Sequence, residues 1–261
     1  MSGYDTLEMS HDERGISTLT LARPDKLNAL NAAVLSELEE AAEALHSRDD
    51  LRVVVIRGEG RAFIAGADIE AMLEMSREEG EEFGNLGHQT LDAIESIPVP
   101  VIAAVDGFAL GGGLEVALAC DLIYASGRAK FGLPEVSLGI IPGFGGTQRL
   151  GRVVGWQRAR EMVFTGRQID ADSAEEYGLA CATYEVDNFE ERVNEVAETI
   201  ASRGPLAVRA AKRAMRAGQE QRLQEGLAIE RDAFGELFDS EDRVEGMEAF
   251  TDRRDPEFRG E

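Results

Sequence analysis

The chain has 261 residues, of which 43% are hydrophobic, so it is long enough to bury one large core. Its 50 acidic and 27 basic side chains give a formal net charge of −23 at pH 7, which repels nucleic acid and anionic lipid and argues against both as general partners. The N-terminus has no apolar signal-like region, and the apolar stretch at 97–105 is short and broken by Pro98 and Pro100. We therefore expect a cytoplasmic protein without a membrane span.

Lysine is nearly absent, because Lys26, Lys130 and Lys212 are the only lysines among the 27 basic residues. An acidic surface with so little lysine favours a protein adapted to concentrated salt, where screening over a few ångströms makes self-repulsion tolerable. Adaptation to high temperature enriches lysine instead. The alternative is an ordinary acidic cytosolic protein, and equal stability at low and multimolar salt would contradict the salt hypothesis.

The first part of the chain alternates predicted strands and helices. Two apolar-patterned segments, 6–11 and 16–23, flank a turn-like segment and predict a hairpin. Apolar residues at three- and four-residue spacing predict an amphipathic helix over 31–47. The pattern continues with a strand at 51–58, a helical stretch from Asp68 to about Ile97, a strand at 101–105, a helix at 114–119 and a strand at 122–125. Repeated strand, turn and helix units are typical of an α/β fold.

From Asp187 onward the sequence predicts helices alone. The helical segments are 189–204, 205–218, 223–238 and 240–250. We place a boundary near residue 200, with residues 1–200 as the core and 201–261 as a helical subdomain that takes part in contacts between subunits. Cys120 and Cys181 lie in apolar contexts and are predicted to be small buried side chains without a disulfide. The histidines lack the spacing of metal ligands, so no metal site is predicted.

Three glycine-rich turns follow predicted strands, at 57–69, 106–115 and 141–151. None fits a nucleotide-binding template: the sixth position of the match that starts at Gly143 is Gln148, and no loop ends in Gly-Lys-Ser/Thr. Tight backbone packing explains one such loop alone. Two loops that each lead from a strand into a helix can direct free N–H groups at one point, where they stabilise an oxygen that becomes negative during a reaction.

Two glutamates accompany the second loop. Glu115 falls in the first turn of the helix that follows the glycines, and Glu135 comes after Pro134, beyond the next strand. A chain that runs out along a helix and back along a strand can bring both carboxyl groups together. Neighbouring carboxyl groups push their pKa values apart, so that one acts as a base and the other as an acid toward one water molecule. Either glutamate alone is better explained as a partly exposed or arginine-paired carboxylate.

These motifs together resemble the crotonase (enoyl-CoA hydratase/isomerase) superfamily over almost the whole chain. The segments "RPDKLNAL", "AFIAGADI", "VIAAVDGFALGGGLEVALACDLIYA" and "FGLPEVSLGIIPGFGGTQRL" are similar to family segments and occur in family order. The resemblance implies an α/β fold built as a crotonase-like spiral of ββα units closed by C-terminal helices. It also implies homotrimers or dimers of trimers, acyl-CoA thioester substrates and no separate cofactor. Fatty-acid β-oxidation, amino-acid metabolism and polyester metabolism all remain open as pathways.

The resemblance further implies roles for single residues. The oxyanion hole matches the backbone N–H groups of Ala67 and Gly112, and the thioester oxygen would lie over Gly112, where a β-carbon would crowd it. Glu115 and Glu135 match the two glutamates of hydratases, so we expect water addition to a trans-2-enoyl-CoA. Glu115 would deprotonate the water that attacks C3, and Glu135 would give a proton to C2. Gly143, expected at the start of a helix, would offer a supporting N–H group.

The CoA part of the substrate carries three phosphate groups, so local positive charge must offset the acidic surface. The positions expected to bind it are Arg23, Lys26, Leu27, Arg61, Ala65, Asp68 and Ile69, with Arg253 and Arg254 as further candidates. Two other activities on the same scaffold stay open, an enoyl-CoA isomerase and a 3-hydroxyacyl-CoA dehydratase. A more distant alternative is a non-catalytic binding paralogue.

Overall fold

The computed structural model describes residues 3–261, which form two sheets wound side by side and covered by helices. The strands are β1 Leu7–His11, β2 Ile16–Leu21, β3 Val53–Gly58, β4 Ala62–Ile64, β5 Val101–Val105, β6 Phe108–Leu110, β7 Leu122–Ser126, β8 Lys130–Gly132, β9 Ile169–Asp170 and β10 Ala182–Tyr184. The α-helices are α1 Ala32–His46, α2 Ile69–Met72, α3 Arg77–Ser96, α4 Gly112–Ala119, α5 Gly146–Val154, α6 Trp156–Thr165, α7 Ala171–Glu176, α8 Phe189–Ala201, α9 Pro205–Gly218, α10 Leu223–Glu236 and α11 Glu241–Asp252.

Each turn of the chain places one strand in each sheet and then a helix. The larger sheet has the order β1-β2-β3-β5-β7-β10, and the smaller one has the order β4-β6-β8-β9. The chain passes from β3 to β4 and α3, then from β5 to β6 and α4, then from β7 to β8 and α5. Within this core the pairs β3–β5, β5–β7, β4–β6 and β6–β8 are all parallel. The predicted α/β fold of ββα units is confirmed.

Helices cover both faces of the larger sheet, which explains the continuously apolar strands. Every residue of β5 is buried. On one face, α1 and α3 contribute Leu35, Leu38, Leu91 and Ile94 to the main core. On the other, Phe189, Val193 and Ala197 of α8 pack against β2, β3 and β5. The helix α8 therefore belongs to the core, and the helices that follow it begin at Pro205.

Some predicted elements differ from the structure. The helical stretch predicted from Asp68 to Ile97 is two helices, because Ser76 and Glu79 form a capping box that begins α3. The strands β4, β6 and β8 have three residues each, too few to show a period of two, and were not predicted. The prediction of two buried cysteines is wrong for Cys181, which is exposed because its helix-to-strand connection lies at the surface, and Cys120 is only partly buried. Both thiols are free.

Of the last three helices, α9 lies against the core through basic side chains. Arg209 of α9 donates to the carbonyls of Asp49 and Leu51, and Lys212 donates to the carbonyl of Val99 and to Asp121. Beyond α9, large apolar side chains face solvent, namely Leu223, Leu227, Phe234, Phe238, Val244, Met247 and Phe250. None of the helices within residues 3–261 is both long enough and apolar enough to cross a bilayer.

Candidate active site

The smaller sheet brings three catalytic candidates to one edge. The strands β4, β6 and β8 lie side by side and parallel, so their carboxyl ends meet. After β4 the chain reaches Ala67, after β6 it reaches Gly112, and after β8 it reaches Glu135. The N–H of Gly111 donates to the carbonyl of Gly132 at 2.9 Å, which extends the β6–β8 pairing into the loops. Residues far apart in sequence therefore converge because of strand order.

In the loop after β4, the N–H of Ala67 points away from Leu30, the residue with which Ala67 is paired. Leu30 donates to the carbonyl of Gly66 at 2.8 Å, and Asp68 donates to the carbonyl of Leu30 at 2.7 Å. Ala67 lies between these two bonds and is the bridge partner of Leu30. In a parallel bridge the residue between the two bonded ones turns its own N–H to the opposite side. The Ala67 N–H is therefore not used by this pairing.

The loop after β6 needs glycine for packing. Gly111 has φ of +52°, which side chains rarely adopt. A β-carbon on Gly113 would lie 2.1 Å from the carbonyl oxygen of Ile64, so α4 could not pack on β4. A β-carbon on Gly112 would lie 3.0 Å from Leu30 Cδ1, which is a different reason for that glycine than the predicted crowding of a thioester oxygen. As the first residue of α4, Gly112 has an N–H without an intrahelical acceptor.

Glu115 is fully enclosed, with 1% of its surface exposed. Its Oε1 accepts hydrogen bonds from the N–H groups of Phe144 at 2.8 Å and Gly146 at 2.7 Å, at the start of α5. Burial raises the pKa of Glu115, while the two N–H groups and the Arg149 guanidinium offset part of that rise. Donors that face a carboxylate favour its charged form, so the start of α5 is built to accept an ionised Glu115.

Glu135 is also buried, at 9% exposure, but its surroundings are different. It begins the 3₁₀ turn Glu135–Leu138, and its Oε2 is buried without a hydrogen-bond partner among the described residues. A β-carbon on Gly111 would lie 2.9 Å from Glu135 Oε1, so this carboxyl group lies against the loop that leads to Gly112 and Glu115. Burial raises the pKa of Glu135 to about 7, and the charge of Glu115 adds to the rise.

Gly143 does not lie where the sequence suggested. It is an exposed loop residue, and α5 begins three residues later at Gly146. The two glycines at 145 and 146 allow a tight entry into the helix, with Gly145 at φ of +104°. The N–H groups at this helix start serve Glu115, through Phe144 and Gly146. The expected helix-start position of Gly143 is therefore wrong, while its N–H role stays a prediction.

Most of the predicted CoA contacts form one corner beside Ala67. Ala65 N–H donates to the carbonyl of Leu27 at 3.0 Å, which joins the loop after β2 to the loop after β4. Arg23 reaches Asp68 at 3.5 Å, and Lys26 pairs with Glu70, which follows Ile69, at 3.0 Å. Buried Asn28 donates to the carbonyls of Glu59 and Ala62, which joins the same loop to the start of β4. The corner thus gathers Arg23, Lys26, Leu27, Ala65, Asp68 and Ile69.

The remaining basic candidates lie elsewhere. Arg61 precedes β4 while Ala65 follows it, so the two are separated by the length of a strand, about 13 Å for four extended residues. Arg254 forms an exposed pair with Glu245 and lowers the pKa of Glu245 to about 2. Arg253 ends α11 in a left-handed conformation. Within residues 3–261, no group of three or more His, Cys, Asp or Glu side chains is arranged to hold a metal ion.

The sequence interpretation missed two residues that support Glu115. Phe144 supplies an N–H to Glu115, and its ring packs edge-on against Phe83 at 5.3 Å between centroids. Arg149 donates to the carbonyl of Phe144 at 2.8 Å. The glycine-rich segment 141–151 contained both residues, but it gave no signal that its N–H groups would face a glutamate 29 residues earlier in the chain.

Comparison with known proteins identifies the family of the chain. The family model described as enoyl-CoA hydratase/isomerase matches residues 11–261. The chain is 43% identical to the short-chain-enoyl-CoA hydratase of Clostridium acetobutylicum over 93% of both chains, and 42% identical to the crotonyl-CoA hydratase of Syntrophomonas wolfei over 98% of both. A crystal structure of enoyl-CoA hydratase from Bacillus anthracis superposes with a TM-score of 0.96 at 40% identity, covering 98% of this chain and all of that one.

The chain belongs to the enoyl-CoA hydratase/isomerase family. The predictions of the crotonase superfamily, of its fold and of an enzyme of the hydratase type are confirmed by these similarities. The assignment of single residues to single steps stays a prediction, which the geometry above makes specific enough to test.

Proposed function

We propose that the protein adds water across the double bond of a trans-2-enoyl-CoA to give a 3-hydroxyacyl-CoA, with Glu115 as base and Glu135 as acid. The observation that carries the proposal is the convergence of two buried glutamates and the loops of Ala67 and Gly112 at the carboxyl ends of β4, β6 and β8. The N–H groups of Ala67 and Gly112 bind the thioester oxygen and stabilise the negative charge that develops on it. The CoA part is substrate, so the reaction needs no further cofactor.

The protonation states follow from the two environments. Glu115 accepts two N–H donors and is ionised, so it takes a proton from the water that attacks C3. The pKa of Glu135 is raised to about 7, so about half of it is protonated at neutral pH and most of it below, and this proton is delivered to C2. Gly143 lies in the loop that enters α5, and its N–H group has the proposed supporting role. The corner around Arg23 and Lys26 binds the CoA part.

An enoyl-CoA isomerase and a 3-hydroxyacyl-CoA dehydratase are the competing activities on this scaffold. A double-bond shift moves one proton and needs no second group to activate water, whereas two buried glutamates suit the addition of water. The names of the two relatives above are those of hydratases, one of them for crotonyl-CoA. These observations support hydration over the two competing activities.

The wider setting is also part of the proposal. The exposed apolar side chains of α10 and α11 support self-association as a homotrimer or a dimer of trimers. Covering such an apolar surface with a second copy removes it from water and stabilises the assembly. The net charge of −23 and the scarcity of lysine support a cytoplasm rich in salt. The protein would then be more stable in multimolar salt than in dilute buffer.

The roles of the two glutamates are tested by crotonyl-CoA hydration, measured as loss of the absorbance of the conjugated thioester. We expect Glu115→Gln and Glu135→Gln each to lower kcat by ~10²–10⁴, because each removes one proton-transfer group while leaving the shape of the site intact. Glu43→Gln on α1, an exposed glutamate, is the matched control and should keep full activity. Near-full turnover by either active-site variant would overturn its assigned role, and a wild-type protein that shifts double bonds without hydrating crotonyl-CoA would favour the isomerase.

A further inference from the structure

The loop that carries the two donors to Glu115 is rich in glycine. Three of the four residues at 143–146 are glycines, and glycine loses more conformational freedom on ordering than any other residue. Yet both N–H groups must stay within hydrogen-bond distance of one carboxylate oxygen. The burial of the Phe144 ring holds the inner side of the loop. A fixed loop position also requires contacts on the side of the loop that faces away from the Phe144 ring.

Arg149 provides these contacts. Its Nη1 donates to the carbonyl of Phe144 at 2.8 Å, and this peptide group lies between the two N–H donors to Glu115. A β-carbon on Gly145 would lie 2.1 Å from the same Nη1, so the guanidinium lies directly against the loop backbone. Only 17% of the Arg149 side chain is exposed.

The guanidinium is itself held by a carboxylate shared with the C-terminal helices. Arg149 Nε donates to Glu95 Oε1 at 2.6 Å, and Arg216 of α9 donates to Glu95 Oε2 at 2.8 Å. Arg216 also donates to the backbone carbonyl of Glu95. The exposed Asp92 is only a distant second partner of Arg149, at 3.5 Å. One continuous set of hydrogen bonds therefore runs from α9 through α3 and α5 to the loop and Glu115.

We infer that Arg149, oriented by Glu95 and Arg216, is a positioning residue that fixes the 143–146 loop and thereby holds the Glu115 carboxylate in place for attack by water. The inference rests on the proposed role of Glu115 as base. Arg149 contacts no reacting atom itself and acts through the Phe144 peptide group. The planar guanidinium of arginine donates to the loop from one nitrogen and to Glu95 from another. Lysine has a single ammonium group and cannot replace this geometry.

A charge effect accompanies the positioning. Arg149 is the cation that lowers the pKa of Glu115, against its burial. Glu135, on the turn after β8, faces this carboxylate, and the ring of His88 of α3 lies near Gly145 in the loop. Loss of the Arg149 charge should therefore move the acidic limb of the kcat/KM profile to higher pH, because Glu115 must be ionised to act as the base.

The test compares Arg149→Met and Arg149→Lys in crotonyl-CoA hydration across pH. We expect Arg149→Met to lower kcat roughly ten- to a hundredfold with KM changed less than threefold, since a displaced catalytic group costs turnover more than binding. Its acidic limb should move to higher pH. Arg149→Lys keeps the positive charge but loses the planar guanidinium. Its acidic limb should therefore lie at the wild-type pH, while its kcat should stay as low as that of Arg149→Met. Arg152→Met, on the same helix and 53% exposed, is the matched control and should behave as wild type.

Arg149→Met decides the inference, with Glu95→Gln as its substitute. The positioning role is overturned if the kcat of Arg149→Met stays within about twofold of the control and its acidic limb stays within about 0.3 pH unit of it. Should Arg149→Met fail to fold, Glu95→Gln tests the same link, and an unchanged kcat there overturns it as well. Glu115→Gln is measured in parallel: if it retains activity, the proposed function of Glu115 fails, whereas loss of activity there with an unaffected Arg149→Met rejects the positioning role alone.

Discussion

Glu115 and Glu135 are buried at the same edge of the smaller sheet, and burial raises the pKa of both, but their surroundings offer different numbers of hydrogen-bond donors to the charged form. Glu115 receives two N–H donors from the start of α5 and faces Arg149. Glu135 has a buried oxygen without a partner among the described residues and faces the charge of Glu115. The two carboxyl groups therefore differ in their main-chain surroundings and not in residue type, and the proposed roles of base and acid rest on this difference.

The largest effect expected from this difference is on stability. Raising the pKa of Glu135 from 4.5 to about 7 means that the folded protein retains a proton that the unfolded chain has released. Its contribution to the free energy of unfolding therefore falls between about pH 4.5 and pH 7, by about 3 kcal/mol in total. Glu135→Gln removes this loss, so we expect the variant to be more stable than wild type at pH 8 and nearly equal to it at pH 4.5.

Urea unfolding of the two proteins at both pH values measures this difference. Glu43→Gln provides the reference for the removal of an exposed charge. A Glu135→Gln variant that is no more stable than the Glu43→Gln control at pH 8 would show that the charged form of Glu135 is not disfavoured by the fold, and the comparison between the two glutamates would then break down.

A smaller effect is expected from crowding the Glu115 side. A β-carbon on Gly146 would lie 3.0 Å from Glu115 Oε1 and 3.0 Å from Leu133 Cδ1, so the carboxylate must move by a few tenths of an ångström. Gly146→Ala should lower kcat for crotonyl-CoA roughly tenfold, because a misplaced base aligns poorly with its water. Gly84→Ala in α3 meets only the carbonyl oxygen of Gly143, at 3.9 Å, and is the control. Equal activities of the two variants would mean that the position of Glu115 is not critical.

Several features of the site were predictable from the sequence because local patterns encode them. The glycine run before Glu115, the proline before Glu135 and the strands that lead to them indicated two carboxyl groups near candidate oxyanion donors, and the structure brings these elements together. The hairpin and α1 followed equally directly from apolar patterning, and β5 followed from its continuous apolar run.

Other features depend on contacts that no local pattern contains. The donors to Glu115 lie 29 and 31 residues away, and Arg149 reaches a glutamate 54 residues away, so only the spiral winding brings them together. The three-residue strands that form the edge of the site are stabilised by their neighbours and show no periodicity of their own. The start of α5 was also misplaced: the sequence pattern predicted it at Gly143, whereas the helix begins at Gly146.

The protonation state of Glu135 is the central claim, and infrared difference spectroscopy between pH 6 and pH 8 tests it most directly. We expect the carbonyl stretch of a protonated carboxylic acid to disappear with a midpoint near pH 7 in the wild-type protein and to be absent from Glu135→Gln. In Glu115→Gln the midpoint should move to lower pH, because the neighbouring negative charge has been removed. A band that titrates near pH 7 and survives in Glu135→Gln, or no such band in the wild-type protein, would contradict the account.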